Sequence, residues 1–196
     1  MKLSSLQKDI IIGTVLGDGY LQKTGEKNSR LKLEHGINQK EYLFWKVKNL
    51  PQFFQGAPKY LERIHPITGR TYKYWRHQSQ SGPFLGRLRK IFYRDGRKII
   101  PENIVNFLTP RSIAVWYMDD GYYYPRDRCS YLYLGNVIRE NAQRVAQTLN
   151  SKFNLNCRVL AKKKGFAIYF PPSEAIKLKS MIKDYIIDLF KYKLPS

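Results

Sequence analysis

Ile11-Ile-Gly-Thr-Val-Leu-Gly-Asp-Gly19 and Ile113-Ala-Val-Trp-Tyr-Met-Asp-Asp-Gly121 are two stretches of one shape, about a hundred residues apart. Each is an apolar helical run that stops at a carboxylate and a glycine. Tyrosine follows at once, Tyr20 after the first and Tyr122 and Tyr123 after the second. One Asp-Gly pair is an ordinary turn signal, and either stretch alone reads as the end of a helix. Two in a matched context are a duplication, and a duplicated carboxylate can serve chemistry.

The order of segments around them repeats as well. After Gly19, 20–35 reads as two strands around Thr24-Gly25-Glu26, with Arg30, Leu31, Lys32 and Leu33 alternating in the second. A helix over 39–50 follows, with Tyr42, Leu43, Trp45 or Lys46, and Leu50 as its apolar stripe. A second hairpin occupies 58–78, turning at Thr68-Gly69, and a helix covers 83–93 before Lys98-Ile-Ile-Pro101. After Gly121 come a hairpin over 122–136, a helix over 140–153, a hairpin over 157–170 turning at Lys164-Gly165, a helix over 173–189, and Lys193-Leu-Pro195. Matching order in both halves predicts an α+β fold, αββαββα twice over. The repeats are assigned to 1–98 and 110–196, joined by 99–109. Thr109-Pro110 is a start signal for the second motif helix, and no Gly/Ser-rich linker separates the halves.

Composition narrows the function. Thirty-five Lys and Arg against fifteen Asp and Glu give a net charge of +20, spread along the chain. A polyanion is the expected partner, and charge alone does not separate DNA from RNA. A basic ribosomal or chromatin protein is the bland alternative. The basic residues sit mostly in tyrosine-rich, strand-like segments, which argues against a membrane-surface helix. The apolar run from Ile10 to Leu16 is too short and too interrupted by glycine for a signal or a membrane span, so an intracellular, unsecreted protein is expected, in a prokaryote's cytoplasm or nucleoid or in an organelle matrix. Cys129 and Cys157 are then two reduced thiols. His35, His65 and His77 lack metal-ligand spacing, which argues against zinc.

Asp18 and Asp120 each follow about two turns of apolar helix. The helix dipole disfavours a carboxylate there, a cost that a bound divalent cation removes. Oxygen ligands with water and phosphate suit Mg2+ or Mn2+. Gly17, Gly19 and Gly121 allow close backbone approach and a left-handed turn where the helices end. A restriction-type Asp/Glu-x-Lys tripeptide occurs nowhere in the chain, and three scattered histidines do not make a His-Asn-His site.

The two motifs resemble those of a single-chain LAGLIDADG homing endonuclease. Asn38-Gln-Lys-Glu-Tyr-Leu-Phe-Trp45, Lys98-Ile-Ile-Pro101, Leu108-Thr-Pro110 and Tyr192-Lys-Leu-Pro195 are similar to features of the subgroup carried by group I introns. The resemblance implies a pseudo-twofold fold whose motif helices pack side by side and whose two saddle-shaped antiparallel sheets lie in the DNA major groove. It implies a monomer that cuts both strands of a long asymmetric duplex target with Mg2+, attacks across the minor groove, leaves 3′ overhangs and so promotes intron mobility. The metal ligands it implies are Asp18 and Asp120, with Gly17 and Asp119 beside them. Lys98 and Lys193 correspond to one basic residue per active site, although Arg97 and Lys191 lie close enough in sequence to compete. Gln39 resembles a residue that positions water; it is equally placed to begin a helix, and its second-half counterpart falls near Gly135 and Asn136.

The sequence departs from the family pattern at Leu16 and Met118, which are apolar where the motif name has an acid. Gly13 and Gly17 stand opposite Val115 and Asp119 in the alignment, so a lopsided helix interface is expected. Outward-facing residues of the hairpins are candidates for DNA contact, because a two-stranded ribbon fits the major groove. These are Lys23, Lys32, Lys59, Arg63, Arg70, Lys73, Arg76, Arg126, Arg128, Arg158 and Lys162, most of them for phosphate and a few for guanine. Tyr20, Tyr122 and Tyr123 are expected to pack sheet against helix, with DNA contact as the second option. An RNA maturase acting on intron RNA, or a catalytically silent DNA-binding protein of the same fold, is the alternative function.

Overall fold

The computed structural model describes residues 2–195. Its elements run α1 (Ser5–Leu16), β1 (Tyr20–Lys23), β2 (Ser29–Gly36), α2 (Lys40–Asn49), β3 (Lys59–Ile64), β4 (Thr71–Gln78), α3 (Pro83–Phe92), and a small hairpin of β5 (Tyr93–Arg94) and β6 (Arg97–Lys98). The order then repeats with α4 (Pro110–Asp120), β7 (Gly121–Tyr124), β8 (Cys129–Gly135), α5 (Arg139–Phe153), β9 (Arg158–Lys162), β10 (Gly165–Phe170) and α6 (Pro172–Ile182). The duplicated αββαββα order expected from the sequence is present. By packing, the chain divides into Asp18–Ile91 on the one hand and the residues up to Gly17 with those from Phe92 onward on the other.

In the Asp18–Ile91 unit the strands form one antiparallel sheet in the order β1-β2-β4-β3. Strict alternation in β2 sends Leu31, Leu33 and His35 to the buried side and leaves Lys32 and Glu34 on the other. α2 covers the buried side with Tyr42, Leu43, Lys46 and Leu50, so Lys46, and not the half-buried Trp45, completes the stripe. The charged residue won that position because its amine finds a partner there, described below.

The other unit holds both motif helices and the sheet β7-β8-β10-β9. α1 begins with a reciprocal capping box between Ser4 and Gln7, and α4 with one between Thr109 and Ser112 followed by Pro110. Apart from their outer ends the two helices are buried on all sides: Ile10 through Leu16 in α1 and Ser112 through Met118 in α4. Fully burying one such aliphatic side chain contributes roughly 1.5–3 kcal/mol. Leu132, Ile168, Phe170, Leu149 and Ile182 complete this core.

The last helix is shorter than expected. It stops at Ile182 rather than near Leu189, and the chain continues in tight turns over Lys183–Tyr185 and Asp188–Lys193. Ile182, Ile186 and Phe190 are all buried, and their spacing of four mimics one helical stripe. The extended backbone at Ile186 and Ile187 re-aims the segment, so that the Lys193 carbonyl accepts from the Tyr117 hydroxyl at 2.9 Å. Cys129 and Cys157 are free thiols and buried. Among the described residues no helix is long and apolar enough to cross a membrane.

Candidate active site at the ends of the motif helices

α1 and α4 approach at glycine. A Cβ placed on Gly13 would lie 2.6 Å from that of Val115, and one on Gly17 would lie 2.6 Å from that of Asp119. No real pair of side chains tolerates such spacing, so α1 supplies the hydrogen and α4 the bulk at both levels. The interface is lopsided, as the alignment suggested. The glycines do not act through a left-handed backbone: φ is −84° at Gly17 and −85° at Gly121. Close approach, and not turn geometry, is what Gly17 provides, because the carboxylate-bearing side chain of Asp119 occupies the space beside it.

Two lysines address these helix ends. The Lys98 amine donates to the carbonyl of Gly17, the residue before Asp18. The Lys193 amine donates to the carbonyl of Met118 at 2.7 Å and lies 3.4 Å from that of Asp119, the residue before Asp120. Lys193 is buried and Lys98 half-buried, whereas Arg97 and Lys191 are exposed and Lys191 pairs with Asp188 at 2.7 Å. The geometry therefore brings Lys98 and Lys193, and not Arg97 or Lys191, onto the carbonyls at the helix ends. Burial holds the Tyr117 phenol well above its ordinary range, so it stays a donor to the Lys193 carbonyl.

Asp18 belongs to the first sheet's unit and its side chain is about half exposed, at 48%. His35 Nδ1 lies 4.0 Å from its Oδ2 and 3.1 Å from Gln39 Oε1, while Lys46 Nζ lies 3.2 Å from His35 Nε2. An ammonium only donates, so Nε2 accepts and the ring proton sits on Nδ1, directed at Gln39 and Asp18. That proton is within hydrogen-bond reach of Gln39, while Asp18 lies beyond it at 4.0 Å. Sequence reading named Gln39 as a candidate, weighed His35 only as a zinc ligand, and gave Lys46 only as a stripe position. The available signal was the alternation Leu31, Leu33, His35, which puts the ring on the buried face.

Asp119, Asp120, Gly121, Tyr122, Tyr124 and Tyr133 line an open pocket at the end of α4. Its charged donors are carboxylate oxygens, which suit a hard, oxygen-seeking divalent cation.

The sheets present unlike faces. In the first, strand register sets Lys32 beside Gln78, Arg76 between Glu34 and Lys59, and Arg63 beside Tyr72, all on the side away from α2. Arg30 and Tyr74 share that face and were not singled out from sequence. Lys23 and Lys73 fall on the opposite face, and Arg70 lies in the β3–β4 turn. In the second sheet the outer face is a tyrosine ladder of Tyr122, Tyr124, Tyr131, Tyr133 and Tyr169, edged by Arg158 and Lys162. Lys162 Nζ sits 3.9 Å over the Tyr131 ring, and the Tyr124 and Tyr133 hydroxyls are 2.8 Å apart. Arg126 and Arg128 are in the β7–β8 turn. Of the three tyrosines expected to pack sheet on helix, only Tyr123 does; Tyr20 and Tyr122 are exposed because the pleat turns them outward.

Comparison with known proteins agrees with this architecture. A probable intron-encoded endonuclease of Wickerhamomyces canadensis is 30% identical over 198 residues, covering 98% of this chain and 85% of that protein. A cytochrome b mRNA maturase, bI2, of Debaryomyces hansenii is 26% identical, covering 95% of this chain and 72% of its own length. The solved homing endonuclease I-WcaI, bound to its DNA recognition sequence, superposes with a TM-score of 0.91 at 30% identity, over 99% of this chain and 88% of that one. The LAGLIDADG DNA endonuclease family model matches residues 8–178, a span that takes in both motifs and both sheets. With the family's duplicated motifs standing at the ends of packed helices α1 and α4, the chain belongs to the LAGLIDADG DNA endonuclease family.

Proposed function

We propose that this protein is a monomeric, site-specific homing endonuclease. It hydrolyses one phosphodiester on each strand of a long asymmetric DNA target, leaves 3′ overhangs, and acts inside the cell or an organelle where intron mobility is served. The units of function are taken as the repeats 1–98 and 110–196, joined by 99–109. Asp18 and Asp120 are the proposed ligands of Mg2+, with Mn2+ able to substitute and with Gly17 and Asp119 as neighbouring oxygen donors. Held by these residues, a divalent cation would supply a water of lowered pKa and positive charge beside the phosphate. Lys98 and Lys193 stabilise the charge that develops there, and Gln39 orients water. The outer faces of both sheets hold the duplex.

One observation carries this reading: in each repeat a lysine amine lies on backbone carbonyls at the motif's last aspartate. A cation held on the carbonyls at the helix ends brings positive charge beside the carboxylates, where an anionic transition state would develop. The test is incubation of the purified protein with its uninterrupted host locus and Mg2+, beside Asp18→Asn and Asp120→Asn. Wild-type cutting that both variants lose is expected; unchanged cutting by the variants overturns the assignment. The likeness to an mRNA maturase favours a second reading, in which wild type leaves DNA intact and stimulates splicing of intron RNA instead.

A further inference from the structure

The first sheet's unit holds a polar chain, buried at His35 and Lys46, whose places in the second repeat are taken by apolar residues. The register makes the comparison direct. Tyr20 pairs with Lys32, and Tyr122, at the same place after its motif, pairs with Tyr131. Counting on without insertion sets His35 against Leu134, Gln39 against Ile138 and Lys46 against Val145. Burial along the two helices supports this alignment, since Tyr42, Leu43, Lys46 and Leu50 match Asn141, Ala142, Val145 and Leu149, all buried. Asn136, near which the counterpart of Gln39 was expected, instead aligns with Ile37. In the first repeat, then, an ammonium buried under Tyr42 at 4.1 Å fixes the ring of a histidine that is 1% exposed, and that ring faces both Gln39 and Asp18. Burying a charge is costly unless its neighbours use it. Val145 shows that the fold does not require a charge at this point of the helix.

We propose that His35 and Lys46 are positioning residues that orient Gln39 beside Asp18, and that hydrolysis of one DNA strand depends on them while hydrolysis of the other does not. This inference rests on the endonuclease reading. Lys46 holds His35 in the tautomer whose Nδ1–H points at the Gln39 carbonyl oxygen, which turns the amide NH2 of Gln39 outward. The second repeat, with Leu134, Ile138 and Val145, completes its reaction without such a chain.

The experiment uses full-length protein, Mg2+ and a target duplex labelled separately on each strand. Lys46→Met keeps the length of the buried stem, and His35→Leu installs the second repeat's residue. Each variant is expected to slow one strand by about tenfold or more and the other by less than about twofold, so that nicked product accumulates. Equal slowing of both strands marks a merely structural role and overturns the proposal, as does no slowing of either. A readout without turnover is the 15N spectrum of the His35 ring in metal-free protein. The Nδ1–H tautomer is expected in wild type and its loss in Lys46→Met; the same tautomer in both overturns the role given to Lys46. Wild-type protein that cuts neither strand overturns the endonuclease reading itself, and the strand dependence with it.

Discussion

Lys193 Nζ donates to the Met118 carbonyl over 2.7 Å from a buried position. Replacing it with Met leaves the volume and removes the charge. Lys193→Met and Lys98→Met are expected to cut single-turnover cleavage by about 10²–10³, with DNA affinity nearly unchanged. Lys191→Met, which changes an exposed residue paired with Asp188, should cleave like wild type. Equal rates for Lys191→Met and Lys193→Met would remove the case for Lys193.

The α1–α4 contact predicts a steep cost at Gly13. Gly13→Ala must push its methyl into the Ser112 carbonyl and Val115, so a loss of about 1–3 kcal/mol is expected in urea unfolding. Gly25→Ala, with only the Asn28 Cβ at 4.0 Å, is the control and should change stability little. A Gly13→Ala protein as stable as the control would mean the helices are less tightly apposed than described.

Glu34 restrains the strongest cation on the first sheet's outer face. Its Oε2 accepts from Arg76 Nε at 2.9 Å and from NH2 at 2.7 Å. Glu34→Gln releases that guanidinium, so DNA binding should tighten and its log–log salt dependence steepen by about 0.9. Titrations at several salt concentrations measure both; an unchanged slope shows that Arg76 does not meet phosphate.

Acid should unfasten the start of α6. Burial pushes the Glu174 carboxyl up, but the Lys177 ammonium at 2.8 Å and the Asn156 N–H at 2.8 Å outweigh it and hold the carboxyl below its ordinary 4.5. The folded protein therefore binds this proton less readily than the unfolded chain. The stabilisation is complete above pH 4.5 and is lost as pH falls through the lower folded value. Wild type should exceed Glu174→Gln by about 1.5 kcal/mol at neutral pH, and the gap should close in acid. A gap constant down to pH 3 contradicts this.

Cys157 should resist thiol reagents. Burial pushes its thiol up to about 12, which leaves about one thiolate in ten thousand at pH 8. Native protein is expected to react with Ellman's reagent only after unfolding, and prompt labelling of Cys157 at pH 8 would refute its burial.

The order of elements was legible because duplication supplies each half as a check on the other. The matching positions of Lys98 and Lys193 at the motif helix ends were legible for the same reason, as equal places in a repeat. Periodicity assigns a residue to a face but does not name its partner, so His35 and Lys46 were visible as inward positions and not as a linked pair. The end of α6 was hidden because Ile182, Ile186 and Phe190 keep an α-helical spacing through two short 3-10 turns broken by extended backbone at Ile186 and Ile187. Tyr122 misled because an aromatic side chain favours burial, whereas the pleat that buries Tyr123 must expose its neighbour.

The unequal helix contact has a consequence for ancestry and for engineering. At both levels α1 gives the hydrogen and α4 the side chain, so a symmetric pair cut from either repeat would have to repack this seam, with two glycines meeting in one case and Val115 and Asp119 meeting their own copies in the other. The seam thus records that the two repeats have diverged as partners of one another.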